Sequence, residues 1–305
     1  MIFLNPESFK IKSAKHQHLK EMLDLLFIRI DKIDNDCVKS WFDFFVNDYL
    51  EVLISGDINA AYELSARLNS EVSGSSFLLK YVKQVFNYDW FIYKTKTRYS
   101  GYDLAKNLDA TTCTYCNRNY TVTVASKNGN KITRPQFDHY LDKSRHPFLA
   151  LSFYNLIPSC SICNSSVKHG LEFSLNKHAH PYLDESINNF RFSYEYSNDP
   201  YHKNGLKIKT EVHQDWYVKN LLTDLKIDEI YNAHTDILFE LLKIKQSYSD
   251  KYLSILEKEV LNGLKVSRSE VYRLAFGVFY DEPDFDKRPF SKFKKDILKE
   301  LNIIT

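Results

Sequence analysis

Glycine and proline are scarce in this chain, eight of each in 305 residues. That excludes collagen-like and loop-dominated architectures and favours long helices. No stretch approaches the roughly 18 uninterrupted apolar residues that a membrane span needs. The opening MIFLNPESFKIKSAKHQHLK has neither an apolar run behind a basic segment nor a small-residue cleavage site, so no export leader and no membrane association are expected. Net charge is almost absent: 41 basic side chains against 39 acidic ones leave +2, so attraction to a polyanion has to come from local patches. Cysteine is sparse and odd in number, with Cys37 alone and two pairs, Cys113/Cys116 and Cys160/Cys163. An odd count and tight pairing point to a reducing, cytoplasmic setting, where such pairs bind metal more often than they build a disulfide framework. No GxxxxGK[ST] string occurs, so nucleotide hydrolysis would have to come from another chain.

What the chain does have is aromatic bulk, 21 Tyr, 21 Phe and 3 Trp, enough to fill a large core without staples. Residues 1–108 read as a helical region. Leu19, Met22, Leu23, Leu26, Ile30 and Ile33 recur at steps of three and four, as one helix face requires. Trp41 to Ile54, Ile58 to Val72 and Phe77 to Tyr93 are further helical stretches, all read as core. Between 109 and 183 the stripes give way to Cys, His, Asn and Pro, with a local charge of +4 from eight basic and four acidic residues. Tyr120–Ala125 and Lys131–Phe137, joined by an Asn-Gly turn, are expected to pair. Residues 184–305 begin with a hairpin, Phe190–Tyr196 and Leu206–Val212, before helical periodicity returns. The expected class is α+β, mainly helical around an embedded metal-bearing core.

Two CxxC pairs carry the first chemical signal. Two intervening residues let a tight turn aim both sulfurs at one ion, and four thiolates close a tetrahedral zinc shell. A closed shell is structural, so Cys113, Cys116, Cys160 and Cys163 are read as holding Zn²⁺. The 43 residues between the pairs exceed a simple zinc ribbon, and something folded must sit there. That interval holds Phe137-Asp138-His139-Tyr140, and the second pair is led in by Tyr154-Asn155-Leu156-Ile157-Pro158-Ser159 and followed at once by Asn164. An imidazole titrating near neutrality suits a general base toward water. A carboxylate oxygen suits a hard cation such as Mg²⁺ or Mn²⁺. Adjacent strand residues face opposite ways, so Asp138 and His139 can serve one phosphate only at a strand end or bulge.

These motifs, in this order over residues 113–182, resemble the HNH endonuclease family in its zinc-stapled ββα-metal form. The resemblance implies hydrolysis of phosphodiester bonds in DNA, with Asp138 and Asn164 holding the catalytic cation, His139 activating water and Asn155 bracing the loop that presents His139. Asn164 stands where the name-giving motif has His, so a single hard divalent ion is expected there. The string Phe148 to Cys163, the His180-Pro181-Tyr182 element and Tyr231-Asn232-Ala233-His234 are also similar to HNH subunits of Septu- and retron-type anti-phage defence. That likeness implies a partner ATPase of the ABC type.

Around this core, Lys143, Arg145, Lys168 and His180 are candidate substrate contacts, with His169 and His178 as further possibilities. Lys287, Arg288, Lys292, Lys294 and Lys295, interleaved with Phe290 and Phe293 and free of acidic residues, fit a phosphate-backbone contact or an acidic partner's docking face, against the plain alternative of a solvated helix. His234 is expected to be buried on a backbone carbonyl, and Cys37 to be packed. Two other functions compete with the DNA nuclease: an RNA- or tRNA-cleaving enzyme of the same chemistry, and a non-catalytic zinc-stapled nucleic-acid-binding module.

Overall fold

The computed structural model describes residues 1–94, 99–248, 252–261 and 266–304. Six helices come first: α1 (Phe9–Asp31), α2 (Asp36–Phe45), α3 (Leu50–Ser55), α4 (Ile58–Val72), α5 (Ser76–Val85) and α6 (Gly101–Leu108). The strands follow: β1 (Val124–Ala125), β2 (Lys131–Thr133), β3 (Gln136–His139), β4 (Leu156–Ser159), β5 (Arg191–Tyr196) and β6 (Leu206–Glu211). Then come α7 (Trp216–Asp224), α8 (Ile227–Asn232), α9 (Thr235–Tyr248), α10 (Tyr252–Ile255), α11 (Arg268–Phe276) and α12 (Ser291–Glu300). The strands form three separate antiparallel pairs, β1–β2, β3–β4 and β5–β6, so the class is α+β.

Local chemistry explains most boundaries. Asp57 caps α4 by accepting from the N–H groups of Asn59 and Ala60, and α11 opens on a Ser267/Glu270 capping box and closes on Gly277 in the left-handed region, φ 71°, both ordinary helix signals. Two expected helices are interrupted. The Trp41–Ile54 stretch breaks around Asn47–Tyr49, where Val46, Asn47 and Asp48 are poor helix formers. The Phe77–Tyr93 stretch stops at Phe86; Asn87 then caps a new π-helical turn, Trp90–Lys94, by accepting from the Trp90 N–H at 2.8 Å.

The central hairpin is smaller than expected. The Tyr120 end of the first strand turns back to the cysteine knuckle, where Thr121 N–H bonds the Thr111 carbonyl at 2.8 Å. On the partner side Pro135 has no N–H to extend the ladder. The strand carrying Asp138 and His139 pairs instead with β4, in the register Asp138↔Ile157 and His139↔Leu156. After β4 comes a π-helical turn, Ile162–Val167, and no α-helix; Asn164, Ser165 and Ser166 favour turns, and Gly170 lies in the left-handed region.

One buried cluster runs through all three sequence regions, including Leu26, Phe42 and Leu104, then Tyr115, Phe148 and Ile157, then Phe192, Ile227 and Phe293. Backbone bonds cross the expected boundaries as well: Ile2 N–H to the Thr114 carbonyl at 2.9 Å, Phe153 N–H to the Ile54 carbonyl at 2.7 Å and Leu4 N–H to the Pro181 carbonyl at 2.8 Å. No helix among the described residues is long and apolar enough to cross a membrane.

Candidate functional site

The two CxxC knuckles meet. The sulfurs of Cys113, Cys116, Cys160 and Cys163 all lie within 4.8 Å of one another, and all four residues are buried. A tetrahedral shell with Zn–S bonds of about 2.3 Å has sulfurs about 3.8 Å apart, so the cluster is of the right size for zinc. Backbone and amide N–H groups already point at the sulfurs: Arg118 N–H to Cys116 Sγ at 3.4 Å, and Asn119 Nδ2 to Cys160 Sγ at 3.3 Å. Burial raises the Cys113 thiol, while its hydrogen bond to Cys116 draws that thiol down to about 7. A bound dication would deprotonate such thiols outright.

The first knuckle is gripped from the far end of the chain. Tyr231 Oη donates to the Cys116 carbonyl at 2.6 Å, and Asn117 Nδ2 donates to the Phe285 carbonyl at 2.8 Å. His234 departs from expectation. It lies in the break between α8 and α9, half-buried, with Nε2 3.0 Å from the Arg118 guanidinium. The cause is the early end of α8, which turns the ring toward the knuckle and away from a helical stripe.

Asp138, His139 and Asn164 line one cleft of about 460 Å³. His139 ends β3, which resolves the alternation problem. Its Nε2 lies 3.0 Å from the Ala150 carbonyl. A carbonyl only accepts, so Nε2 carries the proton and Nδ1, without a partner among the described residues, keeps its lone pair. Burial, acting against that hydrogen bond, lowers the imidazole pKa to about 4. The Tyr88 ring packs edge-on against it at 4.4 Å, with Tyr88 Oη donating to the Phe137 carbonyl at 3.2 Å. Asn155 ties the intervening loop together. Its Oδ1 accepts from Leu141 N–H at 2.7 Å, and its Nδ2 donates to the carbonyls of Leu141 and Leu149, both at 3.0 Å.

Asp138 is almost wholly buried, 4% exposed. Its Oδ2 accepts from Tyr115 Oη and from Lys168 Nζ, each at 2.6 Å. Its Oδ1 has no donor among the described residues. Asn164 donates through Nδ2 to Gln136 Oε1 at 2.9 Å, and its Oδ1 has no donor among the described residues. Asp138 and Asn164 are hard-oxygen side chains of this cleft that could meet a divalent cation.

The structure relocates several expected contacts. Lys143 stays on the cleft rim, paired with Asp89 at 3.2 Å and 4.7 Å above the Tyr88 ring. His169 is exposed and also lines the cleft. Lys168 lines it too, but is turned inward onto Asp138. Arg145 lies outside the cleft lining, paired with Glu172 at 2.6 Å. His180 is a correction: it is fully buried against Tyr140 and accepts from the Tyr182 N–H, so substrate does not reach it. His178 is likewise buried, 2.8 Å from Asp224.

The basic C-terminal stretch is a second correction. Lys287 pairs with Asp284, Lys292 with Asp296 and Lys295 with Glu282, while Arg288 and Lys294 donate to the carbonyls of Gly277 and Phe276. Lys292 and Lys295 are buried. Lys292, Lys294 and Lys295 tie α12 to the Asn188 carbonyl, the Phe276 carbonyl and Glu282. Cys37 is exposed, not packed. Sequence reasoning missed Tyr88, Tyr115, Gln136 and the buried His18, whose Nε2 sits 2.8 Å from the Leu151 carbonyl. Only Tyr115 had a signal, its place inside the first CxxC.

The described residues thus define an α+β protein with a buried four-cysteine cluster that fits a zinc site, set beside a polar cleft. No protein-family model, no curated protein and no solved structure matches this chain.

Proposed function

We propose that this chain is a metal-dependent endonuclease of the HNH type, hydrolysing phosphodiester bonds in DNA, with zinc as a structural staple. The observation that carries the reading is the state of His139: its Nε2 is committed to the Ala150 carbonyl while its Nδ1 has no partner among the described residues, in a cleft shared with Asp138 and Asn164. His139 Nδ1 takes the proton from the attacking water. Asn155 and Tyr88 keep the imidazole in place. Lys143 and His169 meet backbone phosphates at the rim. Asp138 Oδ1 and Asn164 Oδ1 would hold Mg²⁺ or Mn²⁺, which when bound neutralises charge on the scissile phosphate. Asn164 directly follows a cysteine ligand, so the staple anchors it.

Incubation of supercoiled plasmid, and separately tRNA, with the protein and Mg²⁺ beside a His139→Ala variant tests this. Nicking of plasmid that the variant loses, by at least about a hundredfold, is the expected outcome. Cleavage of tRNA alone would move the substrate to RNA, and binding without cleavage would leave a zinc-stapled binding module. By its likeness to Septu-type subunits, the proposal extends to restraint by a partner ATPase; co-purification from a native host with an ATPase subunit tests that part.

A further inference from the structure

Lys168 does something in the cleft that the endonuclease reading alone does not explain. Its ammonium sits 2.6 Å from Asp138 Oδ2 and also donates to the carbonyls of His139 and Tyr140, the latter at 3.2 Å. It lies over the Phe173 ring, 4.6 Å from the ring centroid. All three N–H donors of the ammonium are therefore in use, and the side chain is 6% exposed. Ejecting it to admit a metal ion would take this donor from two carbonyls and leave the buried Asp138 carboxylate with Tyr115 Oη alone, a costly change.

With Lys168 in place, Asp138 is already neutralised on one oxygen, and Asn164 brings no charge. Among the described residues the cleft is lined by Arg134, Lys143 and Lys168 against Asp138 and Asp142, with Asp89 paired to Lys143 at 3.2 Å, so it carries no excess of negative charge. Such a site has no surplus anion with which to hold a free dication, and its cations can meet a phosphodiester. The phosphate would bring both the negative charge and the oxygens that a hard cation lacks here.

We propose that Lys168 is a resident counter-cation that makes divalent-ion capture by Asp138 and Asn164 conditional on a DNA phosphate already lying in the cleft. This rests on the endonuclease reading and adds an order of events to it: phosphate enters first, and the metal ion follows.

The test is Mn²⁺ binding, followed by the loss of the free-ion signal in electron paramagnetic resonance. It uses the full chain in the His139→Ala background, so that a DNA duplex stays intact, with binding to duplex alone subtracted. The expected result is weak binding without DNA and binding at least about tenfold tighter with it. Lys168→Met should raise Mn²⁺ affinity in the absence of DNA by about tenfold or more and shrink the effect of DNA. Lys168→Gln, which keeps two donors without the charge, should do the same, and zinc content with circular dichroism identifies a variant that has not folded. Mn²⁺ binding that is tight without DNA, or absent with it, overturns the proposal even where both variants misfold. So does a folded Lys168 variant whose affinity is unchanged. Failure of the underlying reading looks different: the wild-type protein would then nick no DNA, whatever its Mn²⁺ affinity.

Discussion

Asn155 places its whole side chain on one loop, accepting from Leu141 and donating to Leu141 and Leu149. The Ala150 carbonyl that holds His139 is the next residue along. Asn155→Ala takes away the partner of the Leu141 N–H and carbonyl, at about 1–3 kcal/mol for each group left unpaired, and leaves the Leu149 carbonyl with the Ser152 N–H alone. The expected result is a clear fall in melting temperature together with loss of plasmid nicking, the second reading out the His139 anchor. Tyr115 works on the neighbouring carboxylate. Tyr115→Phe keeps the ring in its buried place and removes the 2.6 Å donor to Asp138. A hydrogen bond to a charged group contributes about 1.5–3 kcal/mol, so urea denaturation should show a loss of that order with the fold intact.

Among the elements, α8 has the most consequential placement. It is a short helix, yet Tyr231 reaches the Cys116 carbonyl and Asn232 exchanges two hydrogen bonds of 2.8 Å with Ile208 on β6. The second hairpin and the first cysteine knuckle are thereby tied to one support. Tyr231→Phe leaves the aromatic packing on Phe192 and Phe293 in place and frees only the knuckle carbonyl. Zinc release to a chelator should quicken severalfold while far-ultraviolet circular dichroism stays the same; an unchanged release rate would separate α8 from the metal cluster. The turn Ile162–Val167 shows the complementary effect: it is one π-helical turn because the knuckle starts it and Gly170 ends it.

Across the whole molecule, stability should depend on acid through imidazoles held neutral in the core. His18, bonded to the Leu151 carbonyl, has its pKa lowered to about 4 by burial, and His180 is lowered to about 3 by the same cause. Both are charged in the unfolded chain below about 6.5. Between those limits the unfolded state binds more protons than the native one, so stability is full above about pH 6.5 and declines as pH falls toward 4. The His18 shift alone corresponds to about 3 kcal/mol, and urea midpoints measured from pH 7 to 4.5 should fall steadily. Removing the metal acts on the same scale, because the core is continuous from α1 to α12. Chelation of the four-cysteine site should lower the melting transition of the entire chain, with hydrogen exchange rising in α8 and α12 as well as around the cysteines.

Short-range spacing by itself determined the features that a few neighbouring residues can impose. The limits of α4 follow from Asp57 and the apolar stripe behind it. The β5–β6 hairpin follows from alternation and turn residues, and the pairing of sulfurs follows from two CxxC turns that can each face one ion. Asp138 beside His139 was legible for the same reason, as chemistry written in adjacent positions. What tertiary packing decided was the partner of the side chains that reach beyond their own element. Lys168 could have reached solvent but is buried on Asp138, 30 residues earlier. The basic run at 287–295 fits a phosphate contact, an acidic partner's docking face or a solvated helix equally well until α12 docks and each cation finds a carboxylate or carbonyl. His180 looks like a site residue until Tyr140 closes over it. Flexible side chains take their partners from whatever the folded chain brings within a few ångströms, and Lys168 with Asp138, Lys295 with Glu282 and His180 with Tyr140 meet across 13 to 40 residues of chain.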